Sequence, residues 1–379
     1  MFAEVAAAVI QGLAWITLGW LLVRLGVALV NALGRVHLPP APGGAQRTIS
    51  VLIPARNEAR LIGGLLQRVL AMGPAVMEVL VYDDGSTDAT WEIVSRMQGE
   101  DPRLRGIRGG PLPGGWLGKN HACHHLAREA RGDYLLFLDA DVIPGPTLAR
   151  DLIDRAVSRN LDLLSLFPVQ VMESQGERRI VSLMNWILLS LLPLPAVARS
   201  RRPSLAAANG QCMLFAAETY RHNTWHALVR QEAVEDIQIA RSMKRRGYRI
   251  ETLLSDGQIA CRMYTGYDEA LQGFARNIHH YFGGNYWTMA LFGILTTTGP
   301  FWALAFMGWM GFGAYLAGAL MLRWVTAHTS RQPASKQVLW HPLLHLGMLQ
   351  VMMKAWNSGR KGSLLWKGRT LGEGLNGNP

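Results

Sequence analysis

The run Ile49-Ser50-Val51-Leu52-Ile53-Pro54-Ala55-Arg56-Asn57-Glu58 decides how this chain folds. Residues 49–54 are short and almost wholly apolar, the pattern of a strand covered on both faces. A polar cluster follows at once, and 58–72 then carries leucines at helical spacing. The same order recurs twice. Residues 76–82 read as a strand and run into Asp83-Asp84-Gly85-Ser86-Thr87-Asp88, with a helix expected from about Asp88. Residues 133–138 read as a third strand, ending in Asp139-Ala140-Asp141, with helices expected over 120–131 and from near Pro146. Strands alternating with helices predict an α/β fold, a Rossmann-like and mostly parallel sheet covered on both faces. Ligands of such sheets sit at the carboxyl ends of the strands, where all three polar clusters fall.

Outward from this core, the composition is unusual. The chain has 379 residues, 49% hydrophobic and 17% charged, with a net charge of +11. Average soluble domains are about 25% charged. Three scattered cysteines (Cys123, Cys212, Cys261) form no CxxC pair, which excludes a disulfide scaffold and a structural zinc site. A basic chain invites a nucleic-acid reading, but the charge is in the wrong place for it. Residues 48–276 hold 27 basic and 25 acidic side chains, whereas the two flanks hold 11 basic and 2 acidic. The excess therefore lies beside apolar segments.

Residues 5–23 contain no charge, enough for a helix spanning about 30 Å of hydrocarbon. Arg24, Arg35 and Arg47 follow, which by the positive-inside rule puts the next segment in the cytoplasm. Residues 281–322 are likewise uncharged, and Thr298-Gly299-Pro300 predicts a break between two crossings. Residues 338–353 are apolar but short, with Lys354, Arg360, Lys361, Lys367 and Arg369 behind them. They read as an interfacial helix or as a third crossing. Residues 180–198, trailed by Arg199, Arg201 and Arg202, read as an interfacial helix, or else as a buried one. The expected layout is an anchor and linker (1–47), an α/β domain (48–280), a transmembrane hairpin (281–330) and a terminal segment with a basic tail (331–379). The α/β domain would face the cytoplasm from a multi-pass position in an inner membrane.

The clusters suggest shared chemistry. Asp-x-Asp can present two carboxylates to a hard divalent cation that takes its other ligands from water and a substrate phosphate. Gly114-Gly115-Trp116-Leu117-Gly118-Lys119-Asn120 is a glycine-rich turn entering a helix, with Lys119 where a diphosphate could lie. Glu235-Asp236 begins another helix, where acids complement the helix dipole or supply a general base.

In this order, these motifs resemble glycosyltransferase family 2 over about 48–280, and the resemblance implies the GT-A fold. It implies that Pro54, Arg56, Asn57, Glu58, Asp83, Asp84, Lys119 and Asp139 hold a nucleotide-sugar, with Mg2+ or Mn2+ on Asp139 and Asp141. Asp236, paired with Glu235, would be the base of an inverting displacement, and Asn209-Gly210-Gln211 would face the acceptor. Gly115-Trp116-Leu117-Gly118-Lys119 and the apolar flanks resemble the membrane enzymes of carotenoid and hopanoid pathways. A processive synthase would carry Gln-x-x-Arg-Trp where this chain has Gln272-Gly273-Phe274-Ala275-Arg276-Asn277, so one sugar per acceptor is expected. The resemblance implies transfer of a UDP-hexose to a lipid hydroxyl. Polyprenyl phosphates, glycerolipids and ceramides are the alternative acceptors, and Arg276 is a candidate contact for diphosphate or headgroup.

Two rivals come from other classes. His121-Ala122-Cys123-His124-His125, the pair His222/His226 and the pair His341/His345 match the histidine boxes of membrane di-iron enzymes. A catalytically silent nucleotide-sugar binder would be expected to lack the metal aspartates or the base, and neither is missing here.

Overall fold

A computed structural model describes residues 1–43, 46–359, 365–366 and 369–370. The chain separates into two compact units. One gathers Val36–Val171, Ala196–Arg262 and Ser363–Pro379; the other gathers Met1–Arg35, Met172–Pro195 and Met263–Gly362.

The first unit is the α/β body. Its strands are β1 (Ile49–Ala55), β2 (Val76–Asp83), β3 (Leu104–Arg108), β4 (Tyr134–Leu138), β5 (Val142–Pro144), β6 (Leu163–Phe167), β7 (Val169–Gln170), β8 (Cys212–Ala216), β9 (Ile250–Leu254) and β10 (Ile259–Cys261). Seven form one sheet in the order β3-β2-β1-β4-β8-β6-β9. β1 pairs in parallel with both β2 and β4, while β8 runs antiparallel between β4 and β6. Val51, Leu52 and Ile53 have no exposed surface, as expected of a strand covered on both faces. From β1 the order runs outward to β2 and β3 on one side and to β4 on the other, so β1 and β4 flank a topological switch point. A crevice opens there at the strand ends. A second sheet, β5-β10-β7, sets Cys261 opposite Val142, the residue after Asp141.

The strands expected from sequence are present, but the helix after β1 starts later, at Ile62–Leu70. Residues Arg56 to Glu58 instead form a tight turn, with Asn57 at φ 54, a left-handed conformation that asparagine tolerates better than most residues. Sequence places no strand at β3 or at any of β5 to β10, and of these β3, β5 and β10 are short and carry no long apolar run.

The second unit is helical: Phe2–Leu33, Gln175–Leu191, Tyr267–Asn277, Tyr286–Thr329 and His341–Gly359. Two of its helices, Phe2–Leu33 (mean hydropathy 2.0) and Tyr286–Thr329 (1.5), are long and apolar enough to cross a membrane. The reading of 180–198 as interfacial is corrected. Ser174 and Glu177 cap the helix Gln175–Leu191 reciprocally, and every residue from Ile180 to Ser190 is buried. Asn31 donates to the Leu189 and Leu192 carbonyls at 2.9 Å each, which ties this helix to the first.

The expected break at Thr298-Gly299-Pro300 is also displaced. Pro300 lies inside the helix, and the chain reverses at Gly308 (φ 66, ψ −160). The reversal is visible in the packing. Residues 299 and 315 would stand about 24 Å apart along a continuous helix, yet a Cβ on Gly299 would lie 2.0 Å from the Tyr315 hydroxyl. Tyr315 and Ala303 also share a core with Leu21, Ala28, Leu322 and Val325. Of the basic tail, Arg360, Lys361 and Lys367 lie outside the described residues.

Candidate active site

The crevice at the ends of β1 and β4 is a cavity of about 190 Å³, lined by Pro54, Arg56, Glu58, Asp84, Lys119, Asp139 and Asp141 among others. Three separate strand-end clusters and the glycine-rich turn thus converge on one site. Gly118 and Ala122, from the first five residues of the helix Gly118–Glu129, also line it, so a helix N-terminus faces the space. Such an end favours phosphate through its unpaired N–H groups and its dipole.

The predicted residues divide by what their side chains touch. Asp83 is buried and turned inward, accepting from the Ser86 N–H at 3.1 Å and from the Ser86 hydroxyl. Asn57 likewise holds the turn, accepting from the Thr87 N–H at 2.8 Å while its own N–H donates to the Ser86 hydroxyl. These two shape the cleft, whereas Asp84 lines it. Arg56 donates to the Asp84 carbonyl and stands 3.8 Å from the Asp84 carboxylate.

At the centre, Lys119 Nζ bridges Asp139 Oδ1 at 2.8 Å and Glu235 Oε1 at 2.9 Å. Burial pushes Lys119 down, but Asp139 and Glu235 outweigh it, so its ammonium is held well above the usual lysine range. Asp236 follows on the same helix, Glu235–Arg245, accepting from the Gly210 N–H at 2.9 Å and the Ile237 N–H at 2.7 Å. Burial and the neighbouring Glu235 charge push Asp236 up to about 7, against the pull of Lys119 and these two N–H groups. A carboxylate poised there can take a proton near neutral pH.

Gly210, two residues before β8, packs against this group. A Cβ on it would lie 3.0 Å from Lys119 Nζ and 3.1 Å from Glu235 Oε1. Of its neighbours, Asn209 is fixed by Ser165, and Gln211 Nε2 donates to Cys261 Sγ at 2.9 Å. Gly210 thus stands against the proposed base, while Asn209 and Gln211 are buried behind it.

The site fits a divalent cation through Asp141. Among the described residues its buried Oδ1 has no hydrogen-bond partner, while Lys119 approaches Asp139 Oδ1 and Oδ2 at 2.8 and 3.1 Å. Burial and the Asp139 charge raise Asp141 to about 6. Among the described residues no group of three His, Cys, Asp or Glu could hold a metal. A cation here would draw its remaining ligands from water and a bound diphosphate, the usual habit of Mg2+.

Sequence reasoning missed Cys261. Its thiol hydrogen-bonds Asp141, and burial pushes it well above the usual range, so it remains S–H. Only the β5–β10 register brings together residues so distant in the chain.

Among the described residues the histidines form no group that could hold a metal. His121, His124 and His125 pack with Tyr82 and Trp116, whereas His226 meets Tyr220 and Phe137. His341 and His345 belong to the helical unit. Arg276 also lies in that unit and is not among the residues lining the cleft.

Comparison with known proteins shows what the chain is similar to. Residues 50–223 match the family model described as Glycosyl transferase family 2. A 4,4'-diaponeurosporenoate glycosyltransferase of Staphylococcus haemolyticus is 25% identical over 239 residues, 62% of either chain. The chain thus spans about three fifths of that relative's length. The protein of the same name from Staphylococcus aureus strain MRSA252 is 24% identical over 349 residues, covering 85% of this chain and 88% of that one. A mannosyltransferase of Pyrobaculum calidifontis, solved with GDP-Man and Mn2+, superposes with a TM-score of 0.54 at 19% identity, over 92% of this chain and 98% of that one. It shares the fold.

Proposed function

We infer that this chain, a glycosyltransferase carrying a family 2 domain over residues 50–223, moves one hexose from a UDP-sugar to a hydroxyl on a membrane lipid of carotenoid or hopanoid type. The observation that carries the reading is one cleft holding Asp84, Lys119, Asp139 and Asp141, with the raised carboxyl of Asp236 joined to it through Glu235 and Lys119.

In this mechanism Asp84 and Arg56 position the nucleotide, and the helix end at Gly118 receives the diphosphate. Lys119 exchanges its contacts with Asp139 and Glu235 for the phosphate oxygens. Asp141 and Asp139 would hold Mg2+ or Mn2+, which would supply positive charge at the leaving group. The acceptor oxygen attacks the anomeric carbon from the face opposite the diphosphate. Its proton passes to Asp236, the bond from anomeric carbon to diphosphate oxygen breaks, and the nucleoside diphosphate departs with the electron pair. The sugar is inverted.

The membrane location rests on the surface of the two long helices. Only 28% of each apolar window is buried, whereas a soluble core helix would be mostly covered. Phe2, Val23, Phe301 and Met310 are more than half exposed, an apolar surface suited to lipid. Trp287 and Trp309, both well exposed, open the two arms about Gly308, and each arm is about 30 Å long. With the basic flanks, this supports a multi-pass inner-membrane enzyme whose catalytic unit faces the cytoplasm.

A second reading concerns the acceptor group. The Staphylococcus relatives are named for a diaponeurosporenoate, by its ending a carboxylate. A carboxylate acceptor is already ionised at pH 7 and needs no base. Expression with and without Asp236→Asn in a lipid-rich host, followed by mass spectrometry of extracted lipids, tests both. A lipid that gains a hexose only with Asp236 supports the hydroxyl reading. Equal glycosylation of a lipid acid by both forms supports the carboxylate, and a sugar on a polyprenyl phosphate would overturn both.

A further inference from the structure

The helical unit buries two arginines that the transfer reaction does not use. Arg24 is 1% exposed and Arg323 is fully buried. Their guanidinium carbons lie 4.3 and 4.0 Å from the centre of the same Trp186 ring. Among the described residues neither has a carboxylate within ion-pair reach. Arg24 has only neutral partners, the hydroxyls of Ser190 (3.0 and 3.2 Å) and Thr296 (3.2 Å). Among the described residues Arg323 has no hydrogen-bond partner at any of its three nitrogens, and Trp186 Nε1 has none either. Two uncompensated cations packed in an apolar bundle are costly.

Arg24, Trp186, Thr296, Tyr315, His341 and His345 line a cavity of about 20 Å³ in this unit, and Arg323 stands just outside that lining. The unsatisfied groups around it share one chemistry. Arg323 and Trp186 offer N–H donors alone, and the buried Nδ1 atoms of His341 and His345, also without partners, are able to donate. Such a set calls for an acceptor that carries negative charge. One water needs about 10–15 Å³ of such space, so the cavity suits the two oxygens of a carboxylate better than the four of a phosphate.

We propose that Arg24 and Arg323, with Trp186 and His341/His345, form a binding site for the carboxylate head of a long-chain lipid acid, separate from the donor cleft and sharing no residue with it. The site rests on the membrane reading of the helical unit and not on the identity of the sugar or acceptor. The head enters from the bilayer and completes the guanidinium pair, while its tail lies along the apolar helices.

The test uses the full chain purified in neutral detergent, with oleate, oleyl alcohol and acetate as probes. Thermal unfolding is followed against the concentration of each. Oleate should raise the midpoint in a saturable way, while oleyl alcohol (the same tail without charge) and acetate (the charge without a tail) should not. Arg323→Met, which removes the charge and keeps the stem, should weaken oleate at least about tenfold, with UDP binding intact as the control for folding. Arg24→Met provides a second variant in which the same loss is expected. Equal stabilisation by oleate and oleyl alcohol overturns the site, as does a response to acetate that matches oleate. Unchanged oleate affinity in both variants does the same. A chain that purifies without detergent would defeat the membrane reading instead, and the hexose-transfer assay reports on the donor cleft independently.

Discussion

The acid limb of the pH–rate profile should belong to Asp236. Its carboxyl sits at about 7 because burial and the Glu235 charge together outweigh Lys119 and the two N–H donors. With acceptor and donor saturating, about half of the enzyme carries the ionised base at pH 7 and about one tenth at pH 6, so the rate should fall about fivefold between them. Below that it should fall about tenfold per unit. Asp236→Asn should lower transfer by about 10²–10⁴-fold at pH 8 and abolish this limb, leaving UDP affinity unchanged. The causes of the shift supply a stricter check. Glu235→Gln removes a charge that raises Asp236, so the limb should move to lower pH. The assay is initial-rate hexose transfer in mixed micelles over pH 5–9, with donor affinity measured separately by calorimetry. The sign also applies to stability. A carboxyl raised in the fold binds its proton more tightly there than when unfolded, so the protein should lose stability as pH rises from about 4 to about 7, and Asp236→Asn should lose less, the remainder coming from Asp141. A pH limb unchanged in Asp236→Asn, or one that moves upward in Glu235→Gln, would refute the assignment.

Asp141→Asn should abolish metal-dependent UDP binding, because the buried Oδ1 is the acceptor still without a partner; titration of UDP with and without Mn2+ checks this, and equal metal dependence in both forms would count against Asp141. Cys261→Ala removes the thiol that orients that carboxylate and should raise the Mn2+ concentration needed for half-maximal rate, with Cys261→Ser restoring most of it. Gly210→Ala places a Cβ 3.0 Å from Lys119 and should lower kcat about tenfold with little change in unfolding midpoint. Gly308→Ala forces a side chain into φ 66, ψ −160 and should destabilise the helical unit by about 1–3 kcal/mol, seen as a lower unfolding midpoint with UDP binding retained.

The sequence by itself determined the α/β class, the convergence of three strand-end clusters, and the two long apolar helices. These are local signals. A strand covered on both faces needs an unbroken apolar run, a strand-end turn needs short polar residues, and a bilayer-length helix needs some twenty residues free of charge. It also placed Glu235 and Asp236 at a helix start, where they are found.

Tertiary structure decided everything that depends on distant residues meeting. That Asp83 serves the turn while Asp84 faces the cleft depends on the Ser86 contacts. Lys119 bridges Asp139 and Glu235 only because the helix Gly118–Glu129, the end of β4 and the helix Glu235–Arg245 meet there, and Cys261 reaches Asp141 only through the β5–β10 register. The hairpin turned at Gly308 instead of at Thr298-Gly299-Pro300 because a proline in a helix of this unit is tolerated, whereas the positive φ at Gly308 redirects the chain outright. The two buried arginines show the difference most plainly. In sequence, Arg24 and Arg323 are the basic residues that bound apolar segments and orient them. Packing placed both against Trp186, out of water and away from any acid, and so turned two topological markers into an unsatisfied pair of charges.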